Sequence, residues 1–570
     1  MHVSDLFQFL LFLLIVTLLV KPLGGYMQRV FSGKRTALDR CCLPVEKLVY
    51  RITRVDPDRE MTFAEHAICF GLFGLVNTLL LYAILKLQHL LPWFYPAYQT
   101  TPLSPDLAMN TAISFSTTTT WQAYSGETTM SYFSQMAGLC TANFLAAGAG
   151  LAVGVAFIRG LARQESDTLG NFWVDLTRAL LWVLLPGALI GAVLLIWQGV
   201  PMNFHPYAVA TTVEGGKQVI AQGPVAALEI IKNLGMNGGG FFNANGAQPY
   251  ENPTPLSNFL EMLAIVLLPA AFTNTFGRMV GRPRQGWLFY WVMIVLFVAG
   301  LLLVDHFEPR ANPLLGNVHS GQPLSQTSGN MEGKEVRFGL AGTALKGVVT
   351  SNTATGSTNA ADDSLTSLAG MVLLTDMLLG EVVFGGLGTG LYSMVMAAAI
   401  AVFLAGLMVG RTPEYLGKKI GPPENKMIML YALLAPLVVL PLTAIAVSTR
   451  QGLSGLTVNL GPHGLTTILF AYASCFANNG QAFGGLSANT AFYNVTTALA
   501  MAAGRFGLAI PALAFAGLFA RQRKTQVGTL PTDSLPFGIF QIVCLIVITA
   551  LSYLPVLAIG PVFEHLAFGT

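Results

Sequence analysis

Charged residues are scarce in this chain: Asp, Glu, Lys and Arg make up 10% of its 570 residues, against 53% that are apolar. A soluble domain of that length needs a much larger charged fraction to cover its surface. The net charge is only +3, and the basic residues are not gathered into a patch, so no nucleic acid partner is expected. Cysteine is sparse too. Cys41, Cys42, Cys69, Cys140, Cys475 and Cys544 lack metal-ligand spacing, as do the lone His66 and His463, so neither a disulfide framework nor a transition-metal site is expected. The adjacent Cys41 and Cys42 leave a redox-active pair as the one alternative. The sequence contains no glycine loop ending in Gly-Lys-Ser/Thr, no Asp-Lys-Thr-Gly, no His-Glu-x-x-His and no Gly-x-Ser-x-Gly. An ATP site, metalloprotease chemistry and a serine nucleophile are thereby excluded for this chain, and no catalytic residue is assigned.

What is present is apolar sequence in long runs. Stretches near 6–20, 63–86, 132–158, 172–198, 256–277, 287–304, 366–410, 427–448, 487–520 and 536–558 approach or exceed the roughly 20 residues that cross about 30 Å of hydrocarbon. Lipid offers the backbone no hydrogen-bond partner, so the fold class is all-α: a polytopic membrane protein of ten transmembrane helices. The first run lacks a basic start and a cleavage site and has Asp5 ahead of it, so it is read as a retained span rather than a signal peptide. The connections 21–62, 159–171, 278–286, 411–426 and 521–535 hold 21 of the 31 Lys and Arg. By the positive-inside tendency these connections are cytoplasmic, and both termini face outward. The connection 21–60 is long enough for an amphipathic element that touches anionic lipid or a partner.

The outward connections carry a fourfold pattern. Segments 107–128, 225–246, 338–359 and 464–485 each pair a half-apolar stretch, too short to span, with a run such as "STTTTWQ", "GMNGGGFFNAN", "NTATGST" or "ANNGQAFGG". Each reads as a re-entrant helix that stops halfway and aims a partly negative carbonyl end at the bilayer centre. The polar residues after it then line a common axis with oxygens, as in a cation filter. Turns and helix caps account for any one such cluster, but four in register on one side require a shared purpose. The chain divides accordingly: 1–62, an N-terminal span and basic connection; 63–171, 172–286, 287–426 and 427–535, four span, pore-helix, span repeats around a central pore; and 536–570, a C-terminal span. The third repeat holds 366–410, read as one crossing broken at "GEVVFGGLGTG", where glycines interrupt the helix. The loop 316–334 reads as an outward flap.

Seven stretches carry a resemblance: "YSGETTMSYFSQMAGL", "GMNGGGFFNANGAQPYENPT", "NMEGKEVRFG", "GEVVFGGLGTGLY", "GRTPEYLGKKI", "ANNGQAFGGLSANT" and "GRFGLAIP". Together they closely resemble the KdpA family, potassium-binding subunits of bacterial Kdp ATPases, over nearly the whole chain. The resemblance implies four pseudo-symmetric units plus two extra helices, within a superfamily of potassium transporters in the bacterial cytoplasmic (inner) membrane. It implies that potassium, the transported ion, is selected from outside and passed through an intramembrane tunnel to a KdpB-like P-type ATPase catalytic subunit, with KdpC-like and KdpF-like accessory subunits. Carried over position by position, the potassium filter is Thr118, Thr119, Thr120 and Gln122 in the first loop and Met236, Asn237 and Gly238 in the second. Ala354, Thr355 and Gly356 form the third part, and Asn478, Asn479 and Gly480 the fourth. The sequence departs from the family's usual residues at Thr118, Thr120, Met236, Ala354 and Thr355, changes that backbone carbonyls tolerate. The alternative is a stand-alone potassium channel or ion-coupled symporter of the same architecture.

Charges at span depth are costly unless paired or hydrated. Glu381, Arg505 and Arg411 are therefore candidates for a charge network at the cytoplasmic base of the pore, either gating the ion and turning it sideways or fixing two helices as a static pair. Asp376 and Glu261 lie at similar depth. Asp175 and Arg178, three apart on a helix, read as a local surface pair. Glu127 and Glu229 are either sources of negative field at the outer mouth or residues that cap or pack.

Overall fold

The computed structural model describes residues 3–309, 330–524 and 531–568. Among them ten helices are long and apolar enough to cross a membrane: Asp5–Phe31, Phe63–Leu90, Ser134–Ala162, Phe172–Trp197, Pro255–Met279, Pro283–Phe307, Thr389–Val409, Pro422–Ser448, Ala491–Arg521 and Leu535–Ala567. Most boundaries fall within a few residues of the apolar runs. The last runs on to Ala567, and the largest overrun is in the first span, which continues through Lys21 to Phe31. Lys21 and Arg29 do not end it, because a helix runs on past the hydrocarbon while long basic side chains reach toward the interface. The rest of that connection forms a second helix, Asp39–Thr53, with Leu48 and Ile52 exposed and Glu46 buried. Of the outward loop 316–334, only 330–334 lie among the described residues.

Four shorter helices stand between spans: Pro105–Ser116, Val225–Leu234, Gly339–Asn352 and Pro462–Phe476. At 10 to 15 residues they measure about 15 to 22 Å, too short to cross a bilayer. The span after each of them is the more buried partner. Ser134–Ala162, Pro255–Met279, Thr389–Val409 and Ala491–Arg521 are buried along 61 to 83% of their apolar windows, against 22 to 50% for the spans that precede the short helices. The molecule thus has an inner ring of four spans and an outer ring that exposes leucine and isoleucine, as a lipid-facing surface requires. The stretch 366–410 consists of helix Ser367–Leu378, an irregular segment 379–388 and helix Thr389–Val409. Gly388, at φ +92°, packs on the backbone of Gly150 and Gly154 in the first inner span. Only residues without side chains allow two backbones so close.

"RTPEYLGKKI" forms a two-stranded hairpin, Glu414–Tyr415 against Lys418–Lys419, tucked under the first inner span. The buried Lys418 ammonium donates to the carbonyls of Gly160 (3.4 Å), Leu161 (3.0 Å) and Arg163 at the end of that span. A cation at a helix C-terminus satisfies its orphan carbonyls and opposes its dipole. Lys418→Met is therefore expected to destabilise the protein by about 1–2 kcal/mol, seen as earlier thermal unfolding of the purified protein. An unchanged melting temperature would reject this role.

Candidate functional site

The four short helices end at Thr117, Gly235, Thr353 and Ala477, and the next three residues are those singled out by the sequence. In every loop the first of them has a left-handed backbone: φ is +63° at Thr118, +53° at Met236, +54° at Ala354 and +48° at Asn478. The third returns to positive φ at Thr120 (+47°), Gly238 (+76°) and Gly480 (+83°). Left-handed threonine, methionine and alanine cost on the order of 1–2 kcal/mol each, and such strain persists only where its surroundings impose it. Alternation of left- and right-handed residues turns successive carbonyls toward one side of the chain, the conformation that lines a narrow axis with oxygen.

The loops close into a ring. Thr120 Oγ1 donates to the Asn237 carbonyl, joining first to second. Gly238 pairs in parallel with Gly356, where a Cβ on Gly238 would stand 2.5 Å from the Gly356 Cα, joining second to third. A Cβ on Gly356 would stand 2.5 Å from the Gly480 carbonyl carbon, joining third to fourth. One on Gly480 would overlap the Thr119 carbonyl oxygen, and Asn478 Nδ2 donates to Thr119 Oγ1 at 2.9 Å, which returns the circuit to the first. All twelve residues from 118–120, 236–238, 354–356 and 478–480 are buried. Gln122 stands outside this ring as a brace: its amide exchanges two hydrogen bonds with the Gly240 backbone, at 2.8 and 2.9 Å. Beyond the ring the outgoing limbs line an open cavity of ≈ 840 Å³ whose wall includes Trp121, Gln122, Asn245, Thr358 and Phe483.

On the other side lie Glu381 and Arg505, both 4% exposed. Arg505 sits in a π-helical turn, Ala503–Gly507, a departure that recurs at functional sites. The turn packs under the fourth short helix, since Gly504 abuts the Phe476 carbonyl. The guanidinium donates to the Ala146 carbonyl at 2.9 Å and lies over the Phe70 ring at 5.4 Å. Among the described residues Arg505 Nε and Glu381 Oε1 have no hydrogen-bond partner.

Three expectations are corrected here. Glu381 and Arg505 make no ion pair within 4 Å among the described residues, the arginine donating instead to Ala146 and lying over Phe70, although the two stand near enough for their charges to act on each other. Arg411 is exposed beyond the end of helix Thr389–Val409 and joins neither. Asp175 and Arg178 do not pair with each other: Arg159 grips Asp175 through two bonds of 2.8 and 2.9 Å, and Arg178 reaches Glu46 at 3.0 Å.

Asp376 accepts from Ser351 Oγ and Asn352 Nδ2 at the base of the third short helix, at 2.7 and 2.8 Å. Glu127 accepts from the Asn243 amide of the second loop's outgoing limb at 2.9 Å, and His463 meets Glu564 at 2.8 Å. Glu229 is paired with Lys232 at 2.7 Å with both side chains fully buried. Lys232, Glu251 and Lys346, none of them singled out from sequence, stand buried beside the second and third loops. The available signal was the Glu229, Lys232 spacing of three in a short helix whose one other polar residue is Asn233.

A second cavity of ≈ 90 Å³, mostly apolar, lies beside the break. Gly380, Val382, Ser393, Tyr431, Phe476 and Tyr553 are among its walls, so it extends from the foot of the fourth short helix to the C-terminal span.

The family model KdpA, described as "Potassium-transporting ATPase A subunit", matches residues 10–566. A protein of Methylorubrum extorquens named "Potassium-transporting ATPase potassium-binding subunit" is 52% identical over 569 residues, 100% of this chain and 98% of the relative. A protein of the same name from Koribacter versatilis is 49% identical over 585 residues, 99% of each chain. Among solved structures, the potassium transporter TrkH from Vibrio parahaemolyticus superposes with a TM-score of 0.50 at 15% identity, covering 78% of this chain and 82% of that one, a likeness of fold alone.

Proposed function

This chain belongs to the KdpA family of potassium-transporting ATPase A subunits, and from that premise we propose that its ring of four loops is the potassium filter of an ATP-driven uptake complex. The chain is a multi-pass membrane protein and the potassium-binding, non-hydrolysing member of such a complex; the ATPase activity lies in a partner chain. The relatives' names support this reading over a stand-alone channel or symporter.

The observation that carries the assignment is ring closure. Four helix ends, each equivalent to about half a negative charge, converge on loops that each open with a left-handed residue and in three cases return to positive φ two residues on. A dehydrated cation there exchanges its water for protein oxygens. Carbonyls of Thr118–Thr120, Met236–Gly238, Ala354–Gly356 and Asn478–Gly480 line the path, while Gln122 ties the first loop to the second. The ≈ 840 Å³ cavity serves as the outer vestibule. With both termini outward in the bacterial inner membrane, the ring faces the exterior. Past it, Glu381 and Arg505 meet the ion at the break, and the ≈ 90 Å³ cavity marks a sideways route toward a KdpB-like catalytic subunit, assisted by KdpC-like and KdpF-like subunits.

Potassium bound only by the folded ring must stabilise it, by about 2.7 kcal/mol at a hundredfold excess over the dissociation constant. Titrating the purified complex with potassium chloride is expected to raise its melting temperature saturably, where choline chloride at equal ionic strength does not. Equal responses to both salts would refute the assignment.

A further inference from the structure

The second loop differs from the other three in what stands behind it. Each short helix ends with the same bond, a carbonyl five residues before the middle of the loop accepting that residue's amide: Ser114 from Thr119 (3.0 Å), Lys232 from Asn237 (2.8 Å), Thr350 from Thr355 (3.2 Å) and Ser474 from Asn479 (2.9 Å). Three of these positions carry a hydroxyl and one carries a lysine. Lys232 Nζ lies 2.7 Å from Glu229 Oε2 and 3.7 Å from Glu251 Oε2, with all three side chains 0% exposed. Glu251 Oε1 accepts the amides of Phe241 (2.6 Å) and Phe242 (3.1 Å) on the limb that leaves the loop. Lys232 therefore holds both limbs of one loop, the incoming one through its carbonyl, which also takes the Gly238 amide at 3.1 Å, and the outgoing one through its ammonium and Glu251. Alongside, Lys346 meets Glu261 at 2.7 Å, also fully buried. Its ammonium crowds Gly246, as does Ser357 Oγ next to the third loop.

We propose that Lys232, with Glu229 and Glu251, is a specificity-determining positioning cluster: a buried ionic clamp that fixes the second loop as the rigid quarter of the ring and so sets the discrimination between potassium and smaller cations. The proposal rests on the reading of the ring as the potassium filter. Buried ion pairs add little net stability against a hydrophobic replacement. What they do add is a fixed geometry, since a charge without water has one place to go. The other loops, backed by hydroxyls, lean on this one through the Thr120 bond and the Gly238, Gly356 pair. A loosened second loop lets the ring contract around sodium.

The test uses the assembled complex and its cation-dependent ATP hydrolysis. Lys232→Met alone strands two carboxylates, so the informative variant is Glu229→Gln with Lys232→Met, which removes one charge of each sign and leaves the net buried charge unchanged. It is expected to assemble and to keep its maximal rate, while its half-saturating potassium rises at least tenfold and sodium begins to support turnover. Lys232→Arg is expected to stay near the parent in both respects. A double variant whose potassium affinity and potassium-to-sodium ratio remain within twofold of the parent would overturn the clamp. Loss of assembly in the double variant would also overturn it, because the cluster would then be a folding element. A parent complex without potassium dependence would instead remove the filter reading itself.

Discussion

Gly480→Ala is expected to abolish potassium-dependent ATP hydrolysis by the assembled complex, a loss of roughly 100-fold or more of the kind an ångström of misplacement causes. The added Cβ overlaps the Thr119 carbonyl oxygen and would lie 3.0 Å from the Thr119 carbonyl carbon. Neither partner can give way cheaply. Gly480 holds φ +83°, where alanine is strained, and Thr119 sits between two left-handed threonines with its hydroxyl held by Asn478. Displacement of the Thr119 carbonyl removes an oxygen from the ring at the fourth-to-first contact. Gly410→Ala provides the comparison, since Gly410 is also left-handed, at φ +69°, but has no neighbouring atom within 4 Å of an added Cβ. That variant is expected to cost about 1 kcal/mol of stability and leave transport intact. A Gly480→Ala complex with the parent's potassium response would show that the ring is not the site of selection.

Neutralising Arg505 has the second largest consequence. At an effective dielectric near 20, a monovalent cation about 6 Å from a guanidinium is repelled by about 3 kcal/mol, on the order of 100-fold in occupancy. Among the described residues Arg505 makes no ion pair within 4 Å and its Nε has no hydrogen-bond partner in a buried turn below the fourth loop, so on the proposed path its charge, only partly offset by nearby Glu381, acts on the ion. Arg505→Gln retains a donor for the Ala146 carbonyl and removes the repulsion. Complexes carrying it are expected to assemble and, in liposomes without ATP, to pass rubidium down its gradient where the parent is tight. Assembled complexes that stay tight would leave Arg505 a purely structural role; failure to assemble would point the same way.

Much of the architecture was legible because it rests on local pattern. Apolar runs of sufficient length have one solution in lipid, so the ten spans could be placed from composition, and a run of 45 residues from 366 to 410 with glycines in its middle signalled an interruption. The positions of Thr118, Met236, Ala354 and Asn478 in their loops were legible from motif resemblance, but their shared left-handed backbone was not, since threonine, methionine and alanine give no local sign of it. Ion pairing was the least readable feature. Nearness in sequence suggested Asp175 with Arg178 and depth suggested Glu381 with Arg505, yet the partners proved to be Arg159, Glu46 and the Ala146 carbonyl, each set by helices that meet only in three dimensions. The first span outran its apolar stretch for a similar reason: hydropathy marks where lipid ends, not where a helix does.

The interruption at 379–388 occurs in one inner helix while the other three inner spans run through. In a tetramer of identical chains any such opening would appear four times, and cargo could leave in every direction. Continuity of all four quarters within a single polypeptide permits a ring with one unlike side, which under the proposed reading is where cargo admitted at the mouth would be handed to the partner chain.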